Sequence, residues 1–206
     1  MRIRGFYSFR RLGFVQWLLF AGVIVANRDN HYEAAFEAFL RERQVPYVAV
    51  DEGRRSLAAE GSLKSLDFIV SPPGARSWLV DVKGRRFPSG DEQKQYWKNW
   101  SPRDDLRSLT RWQELFGDAF EALLVFAYLL TADRSPLAPE RLFAFRGARY
   151  AFLAVRLADY APHARPISEA WDTVAMPTGL FRGLAAPVED LLGCGRPLCA
   201  ETPLAP

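Results

Sequence analysis

Two short apolar runs in this chain each carry an acidic residue in their interior, and no other feature narrows the possible folds as much. Residues 66–70 read Leu-Asp-Phe-Ile-Val, and residues 78–82 read Trp-Leu-Val-Asp-Val, followed by Lys83 and Gly84. A carboxylate enclosed by apolar side chains is costly unless it is paired or binds a cation. Residues two apart on a strand share a face, so Asp81 and Lys83 point the same way. If the two strands pair as neighbours, Asp67 reaches the same end of the sheet.

The flanking pattern supplies the rest of a domain. Asn30 is placed to cap a helix over residues 31–43, with Tyr32, Ala35, Phe36, Phe39 and Leu40 on one face. Residues 45–50 form a first strand, and 66–70 and 78–82 form the next two. Gly84 is expected to end the third, and the close succession points to a meander. Residues 85–103 are polar and irregular. A second helix opens at Asp104 or Asp105, buries Leu106, Leu109 and Phe116, and stops at Gly117. The uncharged run from Ala122 to Leu130 fits a strand buried on both faces. Residues 141–160 resemble a hairpin turning at Arg146-Gly-Ala-Arg149, and a proline-rich tail with short helices follows.

Two carboxylates at one sheet end suit Mg²⁺, a hard cation that takes oxygen ligands and keeps several waters. The Val82 carbonyl, lying between them in sequence, is a further donor. Such a cation lowers the pKa of bound water enough to make hydroxide available near neutral pH. Lys83 is placed to orient or deprotonate that water, or to neutralise developing phosphate charge.

The ordered set of a helix carrying a glutamate, then Asp67, then Asp81-x-Lys83, resembles the PD-(D/E)XK nuclease superfamily. Its restriction endonucleases and archaeal Holliday-junction resolvases share this order. The later Asp105-Leu-x-x-Leu-x-x-Trp112-x-x-x-Phe116-Gly117, with the apolar strand behind it, is similar to the resolvase second helix and fourth strand. His31-Tyr-Glu-Ala-Ala-Phe-Glu37 resembles a bacterial branch of that superfamily with a His-Tyr-Glu-x-Ala-Phe-Glu signature. The resemblance covers about residues 30–130, and Leu66 stands where the name-giving proline would be. It implies an α/β restriction-endonuclease-like fold: a mixed sheet flanked by helices, here with a C-terminal β-hairpin appendage. The chain is expected to divide into three segments: an apolar extension over residues 1–26, a nuclease-like core over 27–135, and a C-terminal extension over 136–206 packed on the core. The resemblance also implies a metal-dependent nuclease acting on DNA with Mg²⁺, Mn²⁺ substituting, no small-molecule cofactor, and pairing as a homodimer. The alternative is an inactive nucleic-acid-binding module on the same fold.

The family often adds a first-helix glutamate to the metal ligands. At about 100° per residue, Glu33 lies roughly 90° from the centre of the apolar arc and Glu37 roughly 130°. Glu33 is therefore the expected ligand, joining Asp67, Asp81 and Val82. It also matches a capping box with Asn30. Glu37 is the weaker candidate, leaning to solvent and spaced to pair with Arg41. His31 is either a helix-end residue or a phosphate contact.

Between Lys83 and Arg111 stand eight basic and four acidic residues, with Tyr96, Trp97 and Trp100 interleaved. Cations suit a phosphate backbone and aromatic rings suit unstacked bases. Arg85, Arg86, Lys94, Lys98, Trp97 and Trp100 are the expected nucleic-acid contacts. The competing expectation is that Trp97 and Trp100 pack on the core while the charges solvate a loop.

Composition excludes a few classes. The 206 residues are 14% aromatic with net charge +3, unlike a disordered chain. The excess charge sits at the start, where residues 1–30 hold five arginines against one aspartate. Cys194 and Cys199 cannot supply the four ligands of a structural zinc site. Residues 12–26 are uncharged but shorter than the roughly 20 residues a spanning helix needs. Three readings of this stretch stay open: a start assigned upstream of a true one at Val25, a signal peptide ending near Ala26, or a membrane anchor. A membrane partner is expected only under the last, and the expected location is the cytoplasm unless the signal peptide is real.

Overall fold

The computed structural model describes residues 30–50, 56–58, 61–90 and 92–194. The readings made for residues 1–26 and for Cys199 lie outside the described residues. In chain order the elements are α1 (His31–Glu42), β1 (Tyr47–Ala49), β2 (Ser56–Ala58), β3 (Gly61–Leu63), β4 (Phe68–Val70) and β5 (Ser77–Phe87). Then come β6 (Ser101–Pro102), α2 (Arg103–Phe116), β7 (Phe120–Leu130), β8 (Phe143–Phe145) and β9 (Ala148–Arg156). The chain continues through α3 (Leu157–Tyr160), β10 (Arg165–Ser168), β11 (Thr173–Ala175), α4 (Thr178–Leu184), β12 (Ala186–Pro187) and α5 (Val188–Leu192).

The main sheet runs β1-β4-β5-β7-β9-β12, with β8 also paired to β9. β1, β4 and β5 form the expected antiparallel meander. β5 and β7 are parallel over their whole length, which requires a crossover, and α2 supplies it. β9 returns antiparallel to β7, so the C-terminal hairpin widens this sheet. The result is the mixed sheet between helices expected of a restriction-endonuclease-like fold.

Alternation along the strands sorts the core onto two faces. Phe68, Val80, Val82, Leu123 and Val125 meet Phe36, Phe39 and Leu40 of α1. Leu79, Leu124, Phe126 and Tyr128 meet Leu106 and Leu109 of α2 and, farther along, Tyr160 and Phe181. β7 is buried on both faces, which is why its sequence holds no charge between Ala122 and Leu130. Each fully buried Leu or Phe contributes about 1.5–3 kcal/mol relative to exposure.

Several local expectations change. Gly84 does not end its strand; β5 runs on to Phe87. The glycine is needed instead for close approach, since a Cβ there would lie 2.1 Å from the Tyr32 ring of α1. The segment after it is only partly irregular. It holds a Ser89–Gln95 bridge, and β6 pairs with β11 in a second sheet ordered β10-β11-β6. Asn99 fastens this stretch, taking the Met176 amide at 2.9 Å and donating to the Met176 carbonyl at 3.0 Å. No helix among the described residues is long and apolar enough to cross a membrane.

Candidate active site

The site arises where the sheet splits. β4 pairs with β5 only as far as Phe68 opposite Val80. β5 continues beside β7 for seven more residues, so its other edge is left without a strand. Continuing the register by one step sets Asp67 opposite Asp81. The Asp67 carboxylate takes over the ladder's role, accepting the Val82 amide at 2.5 Å. A cleft of about 370 Å³ opens along this freed edge. Asp67, Asp81, Val82, Lys83 and Arg85 line it from the sheet, Asn30, Tyr32 and Glu33 from α1, and Lys64, Trp100 and Asp105 from the remaining side.

Asp67, Asp81 and Lys83 are buried, at 4%, 6% and 8% exposure, yet all three face this cleft. Lys83 Nζ lies 2.6 Å from Asp81 Oδ2 and also pairs with Asp105 Oδ2. Asp105 in turn holds Lys64 Nζ at 2.7 Å. The four groups form an alternating chain of carboxylates and ammoniums. Burial pushes the Asp81 carboxyl above the usual carboxylate range, against the opposing pull of Lys83. Asp105 moves the other way, because Lys83 and Lys64 outweigh its burial. Lys83 is held above the ordinary lysine value, since Asp81 and Asp105 together overcome its desolvation.

Asp105 and Lys64 are the site residues that sequence reasoning missed. Asp105 entered only as the opening of α2 and as part of the helix pattern. A signal was present: Asp105, Ser108, Leu109 and Trp112 fall on one helical stripe, which turns to the sheet. Lys64 carried no local signal. Its backbone is pinned to α2, its amide donating to Ser108 Oγ at 3.1 Å and its carbonyl accepting from Trp112 Nε1 at 2.8 Å. Those two bonds aim its side chain at Asp105.

Of the two α1 glutamates, Glu33 lines the cleft and Glu37 does not. Asn30 caps α1 by accepting the Tyr32 amide at 3.1 Å, and its side-chain amide donates to Glu33, which holds Glu33 at the cleft wall. Glu37 pairs with Arg41 at 3.0 Å as its spacing implied. It does not lean to solvent, however: it is 7% exposed, because Tyr47 of β1 covers it and donates to it at 2.8 Å. His31 meets the Tyr150 hydroxyl at 2.9 Å, outside the cleft.

The basic aromatic segment divides. Trp97 packs against Phe87 and Tyr128, as the core-packing expectation had it. Trp100 instead lines the cleft, with the Arg85 guanidinium stacked 3.7 Å over its ring and donating to its carbonyl. Burial lowers the Arg85 pKa to about 10. Lys98 lines a neighbouring hollow with Trp97 and Trp100, while Arg86 and Lys94 are exposed and line neither.

This chain resembles a solved resolvase. The structure of Hjc from Archaeoglobus fulgidus, a Holliday junction resolvase, aligns with 79% of this chain and 98% of its own, at 13% identity and a TM-score of 0.46. No family model matches the sequence, and no curated protein does.

The donors in the cleft are all oxygens, the chemistry of a hard cation. Among the described residues no three Asp, Glu, His or Cys side chains are grouped so as to hold a metal ion by themselves. The set fits an ion held by two carboxylates with water and substrate phosphate completing its shell, the habit of Mg²⁺.

Proposed function

We propose that this chain is a Mg²⁺-dependent nuclease, Mn²⁺ substituting, that hydrolyses phosphodiester bonds of DNA. The observation that carries the reading is that Asp67, Asp81 and Lys83, buried inside a sheet, all open into one cleft. The residues that would hold the cation are Asp67 and Asp81 with the Val82 carbonyl, and Glu33 from the opposite wall. When bound, the cation makes hydroxide available near neutral pH. Asp67 already accepts the Val82 amide, which fixes the orientation of its carboxylate at the cleft wall. Lys83, held protonated by two carboxylates, serves as a fixed positive charge for the phosphate rather than as a base. Asp105 holds that ammonium in place, and Lys64 brings a second one to the mouth.

A panel of linear, branched and single-stranded DNA and of RNA, offered with Mg²⁺ or Mn²⁺, tests the reading. Metal-dependent cutting by the wild type that falls at least a hundredfold in Lys83→Ala is the expected result. A second reading has its own support: Lys83 is tied between two carboxylates, and the described residues offer no three-ligand cage. That is the state of a nucleic-acid-binding module without turnover. Salt-sensitive binding with no cutting by any metal would select it.

A further inference from the structure

Beside the cleft lies a recess of a different kind. Its walls are Trp100, Pro102, Ile167, Trp171 and Thr173, enclosing about 340 Å³ without a single charged side chain. Trp100 and Pro102 also line the cleft of Asp81 and Lys83, so the two hollows share a wall. The far wall is unusually open for its composition: Trp171 is 80% exposed and Ile167 56%. Trp171 and Ile167 line this recess beside Trp100, so the exposed apolar surface is contiguous, as at interaction sites, rather than one scattered side chain.

Trp171 also has a braced backbone. It sits in the turn between β10 and β11, next to Asp172 at φ 41°. The Asp172 carbonyl accepts the Arg103 amide at 2.8 Å, and its carboxylate takes Arg103 Nε at 2.8 Å. Arg103 is the first residue of α2, two positions before Asp105 of the site. The same short stretch, Trp100 to Asp105, thus braces the turn that carries Trp171 and contributes Asp105 to the ion-pair chain. An uncharged, aromatic recess does not suit a phosphate. It suits a flat, weakly polar group that is covalently one step from a phosphate, and an unpaired nucleobase meets both conditions. A base inside continuous duplex enters only after unstacking and unpairing, which costs a few kcal/mol.

We propose that the recess between Trp100 and Trp171 is a nucleobase-stacking subsite, taking an unpaired base that flanks the phosphate in the Asp81–Lys83 cleft. This rests on the nuclease reading and names its substrate class: single strands, strand ends and forks in preference to uninterrupted duplex.

The test measures binding, not cutting. Anisotropy of a labelled 20-nucleotide oligo(dT), of the same strand with abasic spacers, and of a 20-base-pair duplex is followed with wild type, Trp171→Ala and Trp171→Phe. Trp171→Ala should weaken oligo(dT) binding about tenfold, the scale of one lost base stack. Trp171→Phe should restore most of it, and neither the abasic strand nor the duplex should distinguish the proteins. Equal loss on all three ligands, or no loss on oligo(dT), overturns the subsite. So does a change from dimer to monomer in Trp171→Ala by sedimentation, which would make the recess a face between two copies. Because the readout needs no turnover, Trp171-dependent binding without cleavage sinks the nuclease reading alone. Oligo(dT) binding indifferent to Trp171, alongside metal-dependent cutting by the wild type, sinks the subsite alone, and a protein that binds none of the ligands sinks both.

Discussion

Lys83 illustrates how three buried charges coexist at the scale of single residues. Each ammonium touches two carboxylates or shares one, so no charge in the group stands alone. The two aspartates differ in consequence. Asp81 is strained by burial toward its neutral form, whereas Asp105 is held ionised by two lysines. At neutral pH Asp105→Asn should therefore destabilise the fold by about 1–3 kcal/mol, leaving Lys83 underpaired. Asp81→Asn should leave stability unchanged or slightly higher while removing metal-dependent cutting, a trade common at active sites. Urea unfolding of both variants decides it, and the reverse order would refute the assignment. Tyr160 gives a pH prediction. It is fully buried, donates to the Asn99 carbonyl at 2.6 Å, and burial raises its pKa to about 12. A raised folded pKa means stability that is complete below the unfolded value of 10.0 and lost as pH rises through 12. The stability difference between wild type and Tyr160→Phe should be flat up to about pH 10 and shrink between pH 10 and 12.

At the scale of elements, the contact between α1 and β5 is the one most sensitive to volume. The Tyr32 ring lies against Gly84 with no space for a methyl group. Gly84→Ala should cost about 1–3 kcal/mol by forcing α1 off the sheet. Because α1 carries Glu33, the same change should weaken metal binding. A Tyr32→Ala background should recover much of the stability loss, and additive effects in that double-mutant cycle would show that the clash is elsewhere. The elements themselves were partly legible beforehand. α1, the three-strand meander and β7 follow from periodicity and from an uncharged run. The end of β5 did not, because glycine reads as a stop when its reason to be there is a ring from another element. The two-residue β6 and the β10–β11 pair had no periodicity to betray them, being too short.

For the whole molecule, the fork of the sheet makes the cleft, and a metal bound there, as proposed, would be coupled to folding. A cation that binds only the folded chain stabilises it by about 2.7 kcal/mol at a hundredfold over its dissociation constant. For a chain of this size that is roughly a 5–10 °C rise in the melting temperature. Mg²⁺ should produce such a rise in the wild type and not in Asp81→Asn. A shift of equal size in both would place the ion elsewhere.

The sequence by itself determined that Asp67, Asp81 and Lys83 share one end of a sheet. Strand alternation is a local rule, and acidic residues inside apolar strands need partners there. It determined the helix order and the capping of α1 at Asn30 for the same reason, since both depend on residues within a few positions of one another. Tertiary structure alone decided that Asp105 and Lys64 join them. Their partners lie 22 and 41 residues away along the chain, and only the α2 crossover closes that distance. It also decided that Trp97 belongs to the core while Trp100 belongs to the cleft. Composition treats two tryptophans three residues apart as equals, and only the surface each one meets can tell them apart.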